Sequence, residues 1–552
     1  MNGAETLVKT LLANDLQVCF ANPGTSEMHF VAALDQHPDL RCILCLFEGG
    51  ATGAADGYFR MSGQVAATLL HLAPGFGNGF ANLHNARKAH SGVLTILGEH
   101  ATWHLAHESP LRGDTTGISR ILSHWVRTST SAADLSRDGA AALAAARAGN
   151  GQIATLILPA NTAWEAAAGG AAQCPAQCPA QCPAQCPAQC PAQCPAQCPA
   201  QCPALCPALC PPLAALALPS ANAIAAAAQA LCQPGAALLL DGAATWGAGA
   251  QLAGRIAAAT GCRLLTPCFV GRLERGAGAV PMARIPYNPD LAAAALADLT
   301  AIVICGTGRP TNFFGYPGKA STPEPPGCAL LDLCPPEMDV VATLTLLAKA
   351  TGATGPAPVQ TAGLPSPPPP AALLSAETIG AVLAARLPFG AVVIDEAITN
   401  AAPVALATTG AAAHDWLCLM GGAIGSGLPL ALGVAVACPD RPVVALMGDG
   451  SAMYTLQALW TMARERLNVV TLIFANRGYQ ILRGELENVG VTSVGRNAAR
   501  MFDVEDPSLD WVALAQGHGV AGERVTTAAG LDAALTRAFA APGPGLIEMV
   551  MP

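Results

Sequence analysis

Short apolar runs alternate with alanine-rich stretches along most of the chain. The runs are rich in Val, Ile and Leu, are bounded by Gly, and include GVLTILG, AALLLDG, AIVICG, AVVIDE, PVVALMGDG and NVVTLIFAN. A strand that is apolar without interruption is covered on both faces, which is typical of parallel sheets in α/β proteins. The pattern therefore predicts an α/β fold of doubly wound parallel sheets, in which ligands bind at the carboxyl ends of strands.

Two low-complexity segments divide the chain. Residues 173–212 repeat Cys-Pro-Ala-Gln with small variations, and residues 351–370 are rich in Pro. The blocks between them have ordinary domain sizes, and each contains apolar runs of its own. The expected organisation is an N-terminal domain (1–168), a Cys-Pro linker (169–212), a middle domain (213–350), a Pro-rich linker (351–371) and a C-terminal domain (372–552).

The Cys-Pro tract contains 10 of the 21 cysteines, one at every fourth position. Proline at this spacing prevents a stable helix and favours extended chain, which predicts a spacer. Metal binding is the alternative, although an unbroken period offers no turn that would close Cys pairs on a zinc ion. Expansion of a short coding repeat, without function, also accounts for the period. The other cysteines, such as Cys42, Cys45 and Cys305, lie singly in apolar runs, which is typical of buried reduced thiols.

Bulk composition narrows the class of protein. Of 552 residues, 52% are hydrophobic and only 12% charged, which indicates large cores and surface covered by other subunits or by alanine-rich helices. The net charge of −9 and the lack of a basic tract predict no nucleic-acid or membrane partner. The first residues are interrupted by Glu5, Lys9 and Asp15 and predict an amphipathic helix, neither a signal peptide nor a membrane span. A cytoplasmic location is therefore expected.

The stretch PVVALMGDGSAMYTLQALWTMARERLNVVTLIFANRGYQ predicts a strand–turn–helix–strand unit. A strand ends at Met447, a GDG turn follows, a helix runs from about Ser451 to Arg466, and a second strand ends at Ala475. Such units are right-handed, and neighbouring strands lie roughly 5 Å apart. Groups that follow the two strands are therefore expected to meet at one edge of the sheet.

Oxygen-bearing groups follow both of these strands. Asp449 and, 27 residues later, Asn476 would project together, and the carbonyl of Gly478 lies just beyond. Oxygen ligands of this kind suit Mg²⁺ shared with a phosphate, which the helix opening at Ser451 would also attract. A simple turn is the alternative for GDG alone, but the position of Asn476 favours the metal.

A glycine-rich segment, GGAIGSGLPLALGVAVA, lies upstream of this unit. Its glycines stand where backbone must approach a ligand before a helix opens. A dinucleotide-binding loop is the rival interpretation, but the glycine spacing differs and no acid ends the next strand in the expected way.

These motifs resemble the thiamine diphosphate-dependent enzymes that include acetolactate synthase, benzoylformate decarboxylase and pyruvate decarboxylase. The resemblance covers nearly the whole chain outside the Cys-Pro tract. It implies pyrimidine-binding, middle and diphosphate-binding domains in this order, with thiamine diphosphate and Mg²⁺ as cofactors. The residues that it assigns to the cofactor are Gly422, Ile424, Gly448, Asp449, Gly450, Ser451, Asn476 and Gly478.

The resemblance also implies a role for the members of this set. Asp449, Asn476 and the Gly478 carbonyl would hold Mg²⁺, and the backbone around Gly448, Gly450 and Ser451 would hold the diphosphate. Ile424 would be the apolar wedge that bends the cofactor, and the Gly422 carbonyl would accept a hydrogen bond from its 4′-amino group.

Glu48 is a lone acid at the end of the apolar run CILCLFE. In the family a glutamate at the end of a strand of the N-terminal domain bonds the pyrimidine N1′ atom, and FEGGATGAADGYFR resembles that segment. Apolar surroundings disfavour an anion, so a carboxyl there can share a proton. As an alternative, Glu48 could cap a helix beginning near Ala51.

The segments FANPGTSEMHF and LLHLAPGFGNGFANLHNARKAH are similar to those of benzoylformate decarboxylase. Thr25 follows Asn-Pro-Gly where that enzyme has a serine, and His71 ends a strand where it has a catalytic histidine, a residue type suited to proton transfer. His104, with His100 and His107, follows another strand and is a candidate for the pocket, although a surface or merely structural role is the more common one for such histidines.

Two departures from the family concern the middle domain. No histidine occurs between Pro212 and Thr361, so the middle-domain histidine of benzoylformate decarboxylase lacks a counterpart and an aromatic substrate is in doubt. No FAD-binding segment is evident, and GRPTNFFGYPGKAS (308–321) is more typical of a turn than of a phosphate site. FAD is therefore not expected.

The resemblance implies non-oxidative decarboxylation of a 2-oxo acid. The alternative within the family is carboligation of two 2-oxo acids, as in acetolactate synthase, and one from another class is a non-catalytic homologue that binds the cofactor. Family members share each site between the N-terminal domain of one subunit and the C-terminal domain of another, so a homodimer or homotetramer is expected.

Overall fold

The computed structural model describes residues 1–167, 208–491 and 493–552. Most of the Cys-Pro tract, and with it the prediction of a spacer, lies outside these residues. The described chain forms two compact units: one is Met1–Phe59, Gly63–Arg87 and Ser91–Ala214, and the other is Arg60–Ser62, Lys88–His90 and Ala215–Pro552.

The first unit is built on one parallel sheet. Its strands are β1 (Val18–Ala21), β2 (Arg41–Leu44), β3 (Ala66–Leu70), β4 (Val93–Glu99), β5 (Trp125–Thr128) and β6 (Ile153–Pro159), in the spatial order β2-β1-β3-β4-β6-β5. Its helices are α1 (Gly3–Ala13), α2 (Met28–Asp35), α3 (Glu48–Ser62), α4 (Leu72–Lys88), α5 (Thr115–Leu122), α6 (Leu135–Arg147) and α7 (Ala160–Trp164).

The second unit contains two sheets. The five-stranded sheet has the order β10-β8-β7-β11-β12, with β7 (Ala236–Leu240), β8 (Arg263–Thr266), β10 (Ala283–Arg284), β11 (Ala301–Cys305) and β12 (Ala329–Cys334). The seven-stranded sheet comprises β9 (Leu273–Arg275), β13 (Val392–Glu396), β14 (His414–Cys418), β15 (Val443–Gly448), β16 (Val469–Ala475), β17 (Ala521–Val525) and β18 (Gly545–Val550), in the order β17-β18-β16-β15-β13-β14-β9.

Helices connect these strands. They are α8 (Ala221–Leu231), α9 (Gly247–Thr260), α10 (Pro289–Leu296), α11 (Val340–Ala350), α12 (Ala376–Arg386), α13 (Ala401–Ala407), α14 (Gly427–Ala437), α15 (Asp449–Ala452), α16 (Ala458–Arg464), α17 (Gln480–Asn488), α18 (Arg496–Phe502), α19 (Trp511–Gly517) and α20 (Ala528–Ala540).

The apolar runs form covered parallel strands, as the sequence predicts. Every residue of β3, β4 and β6 is buried, and every strand pair in the first unit is parallel. The α/β fold of parallel sheets is thereby confirmed. β9 is an exception, because it pairs antiparallel with β14 at the edge of the seven-stranded sheet.

Two local expectations are wrong. The single helix predicted from about Ser451 to Arg466 is interrupted between α15 and α16, where the buried hydroxyl of Thr455 donates to the carbonyl of Gly425 at 2.8 Å. A tertiary hydrogen bond of this kind competes with continuation of the helix. Cys42 is exposed and not buried, because β2 is an edge strand with one open side.

The end of the Cys-Pro tract belongs to the described residues. The backbone N–H of Ala208 donates to the hydroxyl of Ser136 at 2.7 Å, and that of Cys210 donates to the side-chain oxygen of Asn14 at 2.6 Å. This end is therefore bonded to the first unit. In the described residues no helix is both long and apolar enough to traverse a bilayer.

Candidate active site

In the first unit, polar side chains collect at the carboxyl ends of β1 and β3. His71 directly follows β3, and Glu27 lies in the loop after β1, which is the neighbouring strand. The Nδ1 atom of His71 lies 2.9 Å from Oε2 of Glu27. Because a carboxylate accepts, Nδ1 carries the proton and Nε2 is the nitrogen left for other partners. The His71 side chain is 20% exposed, whereas that of Glu27 is fully buried.

Glu27 is held firmly in this position. Its carboxylate accepts from the backbone N–H of Gly24 at 2.7 Å and from the hydroxyl of Ser26 at 2.6 Å. A β-carbon on Gly98 would collide with the same carboxylate, and one on Gly24 would collide with the imidazole. The absence of side chains at both glycines is therefore what allows the pair to form.

The sequence interpretation missed Glu27. The available signal was its position after one apolar run, next to a strand whose end carries a histidine. The hydroxyl of Ser26 lies 3.3 Å from Nδ1 of His71, whereas the Thr25 side chain is exposed. The structure thus brings Ser26 and Glu27 against the imidazole, and the role assigned to Thr25 stays a prediction.

Glu48 lies close to the same edge of the sheet. It is the first residue of α3, is buried, and accepts at Oε2 from Nδ2 of Asn78 at 3.0 Å. Phe47 is the N-cap residue, so the capping alternative does not describe Glu48. A β-carbon on Gly75 would lie 3.1 Å from Oε1 of Glu48 and 3.5 Å from Cβ of His71. Glu48 and His71 therefore flank one glycine of α4.

His104 lies on an exposed short turn after β4. Its ring centroid is 5.3 Å from that of His100 and 5.8 Å from that of His107. The hydroxyl of Ser109 lies 3.1 Å from Nε2 of His100. These histidines form a surface row, and a role in the pocket stays a prediction.

In the second unit, β15 and β16 are parallel neighbours, as predicted. Asp449 follows β15, and its two carboxylate oxygens accept from the backbone N–H groups of Gly450 at 2.7 Å and Arg477 at 2.6 Å. Asn476 follows β16, and its side-chain oxygen accepts from the backbone N–H of Gly478 at 3.3 Å. The two side chains therefore occupy one edge of the sheet.

The donor set at this edge fits a hard cation. Burial raises the pKa of Asp449, which a bound cation would oppose. A carboxylate, an amide oxygen and a backbone carbonyl are ligands that Mg²⁺ accepts. Among the described residues, no cluster of three or more His, Cys, Asp or Glu side chains offers another metal site. Asp449, Asn476 and Gly478 could hold Mg²⁺ here.

The glycine-rich loop before α14 is anchored by a buried acid. Glu396 ends β13 and accepts from three consecutive backbone N–H groups: Gly425 at 2.6 Å, Ser426 at 2.9 Å and Gly427 at 2.5 Å. Burial raises the pKa of Glu396 to about 7, although these donors favour the carboxylate. The sequence interpretation missed Glu396, because its partners follow about 30 residues later and on another element.

Two glycines in the second unit allow aromatic rings to approach the backbone. A β-carbon on Gly422, whose φ is 72°, would collide with the ring of Phe313. One on Gly450 would approach the ring of Tyr479. Ile424 is half-buried between the glycines of its loop. The backbone at these positions is thus close-packed but carries no side chain of its own, as a cofactor cradle requires.

Comparisons with known proteins assign both ends of the chain to one family. Residues 1–118 match the family described as thiamine pyrophosphate enzyme, N-terminal TPP binding domain, and residues 404–549 match the corresponding C-terminal TPP binding domain.

Relatives match along the whole length. A Mycobacterium tuberculosis protein named as an acetolactate synthase large subunit, IlvX, is 44% identical over 553 residues, covering 100% of this chain and 99% of the relative. Benzoylformate decarboxylase of Pseudomonas aeruginosa is 28% identical over 576 residues, covering 98% and 97%. The structure of the Rhodococcus jostii thiamine diphosphate-dependent 4-hydroxybenzoylformate decarboxylase superposes with a TM-score of 0.79 at 24% identity, covering 100% and 99%.

Proposed function

This chain belongs to the thiamine pyrophosphate enzyme family, and from that premise we propose that it decarboxylates a 2-oxo acid without oxidation, using thiamine diphosphate and Mg²⁺. The observation that carries the proposal is that Glu48 and His71 flank Gly75 at the carboxyl ends of β2 and β3, while Glu27, which follows β1, contacts the imidazole of His71. A buried carboxyl group and an oriented imidazole are the acid–base groups that proton transfer during such a reaction requires.

The cofactor residues follow from the second unit. Asp449, Asn476 and the Gly478 carbonyl would hold Mg²⁺, and the backbone around Gly448, Gly450 and Ser451 would hold the diphosphate. Gly422 and Ile424 would contact the pyrimidine and the bend of the cofactor. When bound, thiamine diphosphate supplies the electron sink for loss of CO₂.

Side chains of the protein would then transfer the protons. Oε2 of Glu48 is occupied by Asn78, so Oε1 is the oxygen that would share a proton with the pyrimidine N1′ atom. Nδ1 of His71 is occupied by Glu27, so Nε2 would give or take a proton at the substrate. Thr25 and His104 are the further candidates for substrate contacts.

A carboligase that joins two 2-oxo acids is the second candidate. It is favoured by the 44% identity, over the full length, to a protein named as an acetolactate synthase large subunit. Both reactions need the same cofactor site, so the residues above do not separate them. A non-catalytic homologue is less well supported, because Glu48, Asp449 and Asn476 are all present.

We extend the proposal to assembly, location and domains. Each site would combine the N-terminal domain of one subunit with the C-terminal domain of another in a cytoplasmic homodimer or homotetramer without bound FAD. The domain boundaries given above are part of this proposal.

The test is CO₂ release from a panel of 2-oxo acids that includes pyruvate and benzoylformate, with added thiamine diphosphate and Mg²⁺. The Glu48→Gln variant should release at least about a hundredfold less, whereas Asp39→Asn, which removes an exposed carboxylate from the same unit, should match the wild type. An aldehyde product identifies the decarboxylase, and an acetohydroxy acid or 2-hydroxy ketone identifies the carboligase. CO₂ release that is independent of Glu48 would contradict the proposal.

A further inference from the structure

Five aromatic side chains of the second unit pack together in what we call the aromatic wall: Phe269, Tyr287, Phe313, Phe314 and Tyr316. The ring centroid of Phe313 lies 5.4 Å from that of Tyr287, 5.7 Å from that of Phe269 and 4.8 Å from that of Phe314. Three of the five belong to the loop 308–321, which the sequence indicated only as a turn. Phe313 and Phe314 are 41% and 52% exposed, so apolar ring surface remains available to a ligand.

The aromatic wall borders the segments proposed for the cofactor. The Phe313 ring covers the backbone of Gly422, the residue proposed for the pyrimidine. The Tyr479 ring covers Gly450, the residue proposed for the diphosphate, and α17 begins immediately after Tyr479. The aromatic wall therefore contacts the proposed cofactor site through Phe313, and the residue that precedes α17 contacts it through the ring of Tyr479.

One carboxylate joins α17 to the aromatic wall. Oε1 of Glu485 accepts from the hydroxyl of Tyr287 at 3.2 Å, and Oε2 accepts from the hydroxyl of Tyr316 at 2.7 Å. Burial, followed by the hydrogen bond to Glu485, raises the pKa of Tyr316 to about 12, and burial raises the pKa of Tyr287 further. Both phenols therefore stay protonated and keep donating.

The hydrogen-bond partners of the Glu485 carboxylate are two neutral phenols. None of the ion pairs in residues 1–167, 208–491 and 493–552 includes Glu485. Lys319, whose ammonium lies 5.7 Å from the centroid of the Tyr316 ring, pairs with Asp290. A hydrogen-bonded carboxylate without a basic partner repels a second anion brought close to it.

We propose that Glu485 is a specificity-determining residue, which admits 2-oxo acids with a neutral substituent against the aromatic wall and disfavours those with a second carboxylate. This inference rests on the proposed function, because only a 2-oxo acid that reacts with the cofactor would lie beside the residues proposed to bind it. The competing explanation is a purely structural tie, in which Glu485 only fastens α17 to the loop 308–321. The two differ in whether the effect of Glu485 depends on the charge of the substrate.

The experiment compares 2-oxopentanoate with 2-oxopentanedioate, which have the same chain length and differ by a distal carboxylate. The variants are Glu485→Gln and, as a matched control, Glu487→Gln, which removes an exposed carboxylate from the same helix. Each protein, loaded with thiamine diphosphate and Mg²⁺, is assayed for kcat/KM from CO₂ release. Binding of both acids is also measured by tryptophan fluorescence, which requires no turnover.

In the Glu485→Gln variant we expect the ratio of diacid to monoacid, in kcat/KM and in affinity, to rise about tenfold or more. The ratio should stay at the wild-type value in Glu487→Gln. Equal changes for both substrates, or no change in the ratio, would overturn the inference in favour of a structural tie. If no 2-oxo acid releases CO₂, the proposed function fails, and the binding ratio alone then decides the role of Glu485.

Discussion

The Nδ1 atom of His71 lies 2.9 Å from Oε2 of Glu27, a carboxylate with no exposed surface. His71 follows β3 and Glu27 follows β1, and these two strands are parallel neighbours in the sheet. The two residues are nevertheless 44 positions apart in the chain. The contact fixes the tautomer and the orientation of the imidazole, so that Nε2 is the nitrogen available to a substrate. In the proposed reaction Glu27 would therefore act through His71.

The first prediction concerns this pair. Glu27→Gln should lower kcat by about 10- to 100-fold, because the imidazole loses the partner that orients it. Affinity for thiamine diphosphate, measured by fluorescence quenching, should stay close to that of the wild type, because the carboxylate of Glu27 bonds Gly24, Ser26 and His71, none of which is a proposed cofactor residue. Asp35→Asn, an exposed change at the end of α2, is the control. A kcat equal to that of the wild type would show that Glu27 has no part in positioning His71.

The second prediction concerns the metal. Asp449→Asn should raise the Mg²⁺ concentration needed for half-maximal activity by about tenfold or more, equivalent to about 1.4 kcal/mol of binding free energy, because a charged ligand is lost. Titration of EDTA-treated protein with Mg²⁺ measures this value. Asp440→Asn, in the exposed loop before β15, should leave it unchanged. An unaltered Mg²⁺ requirement in Asp449→Asn would exclude Asp449 as a ligand.

The third prediction concerns pH and Glu396. Burial raises its pKa in the folded protein from 4.5 to about 7, so the folded state binds a proton that the unfolded state releases in this window. The stabilisation linked to that proton is complete below pH 4.5 and is lost as the pH rises through 7, by about 3 kcal/mol.

Thermal unfolding of the wild type and of Glu396→Gln from pH 5 to pH 8 tests whether stability changes with pH in this direction. Other titrating groups are common to both proteins, so they cancel in the difference between the two melting temperatures. The melting temperature of the wild type should fall relative to that of the variant as the pH rises. A difference that stays constant over this range would mean that Glu396 does not titrate there.

The fourth prediction concerns shared sites. Glu48→Gln and Asp449→Ala should each be inactive alone, because each destroys one half of every site. If sites combine two chains, mixed dimers regain one intact site, and an equal mixture should recover about a quarter of the wild-type activity. Activity after co-refolding or co-expression is the measurement. No recovery, with mixed dimers verified by mass, would place each site within one chain.

Several features of the fold and site could be predicted from local pattern. Uninterrupted apolar runs indicated parallel strands, and β15 and β16 are adjacent as the GDG turn and Asn476 suggested. Glu48 stood out because a single acid ended an apolar run. Each of these signals is contained in a short stretch, since burial on both faces leaves a continuous run and a strand end is marked by Gly or a polar residue.

Other features depended on strand order, which no short stretch contains. β1 lies between β2 and β3, and this order brings Glu27 to His71. β9 leaves its neighbours in sequence to pair with β14, which hydrophobic periodicity does not report. The helix predicted from about Ser451 to Arg466 is interrupted where Thr455 bonds a distant loop.

The sequence by itself determined the parallel α/β class, the adjacent strands that carry the proposed metal ligands, and the family. Only the tertiary structure decided the partners of those residues: Glu27 for His71, Asn78 for Glu48, and the phenols of Tyr287 and Tyr316 for Glu485. The physical reason is that alternation and turn chemistry record how each residue meets solvent, whereas a hydrogen bond between residues far apart is fixed by how the sheets are ordered and packed.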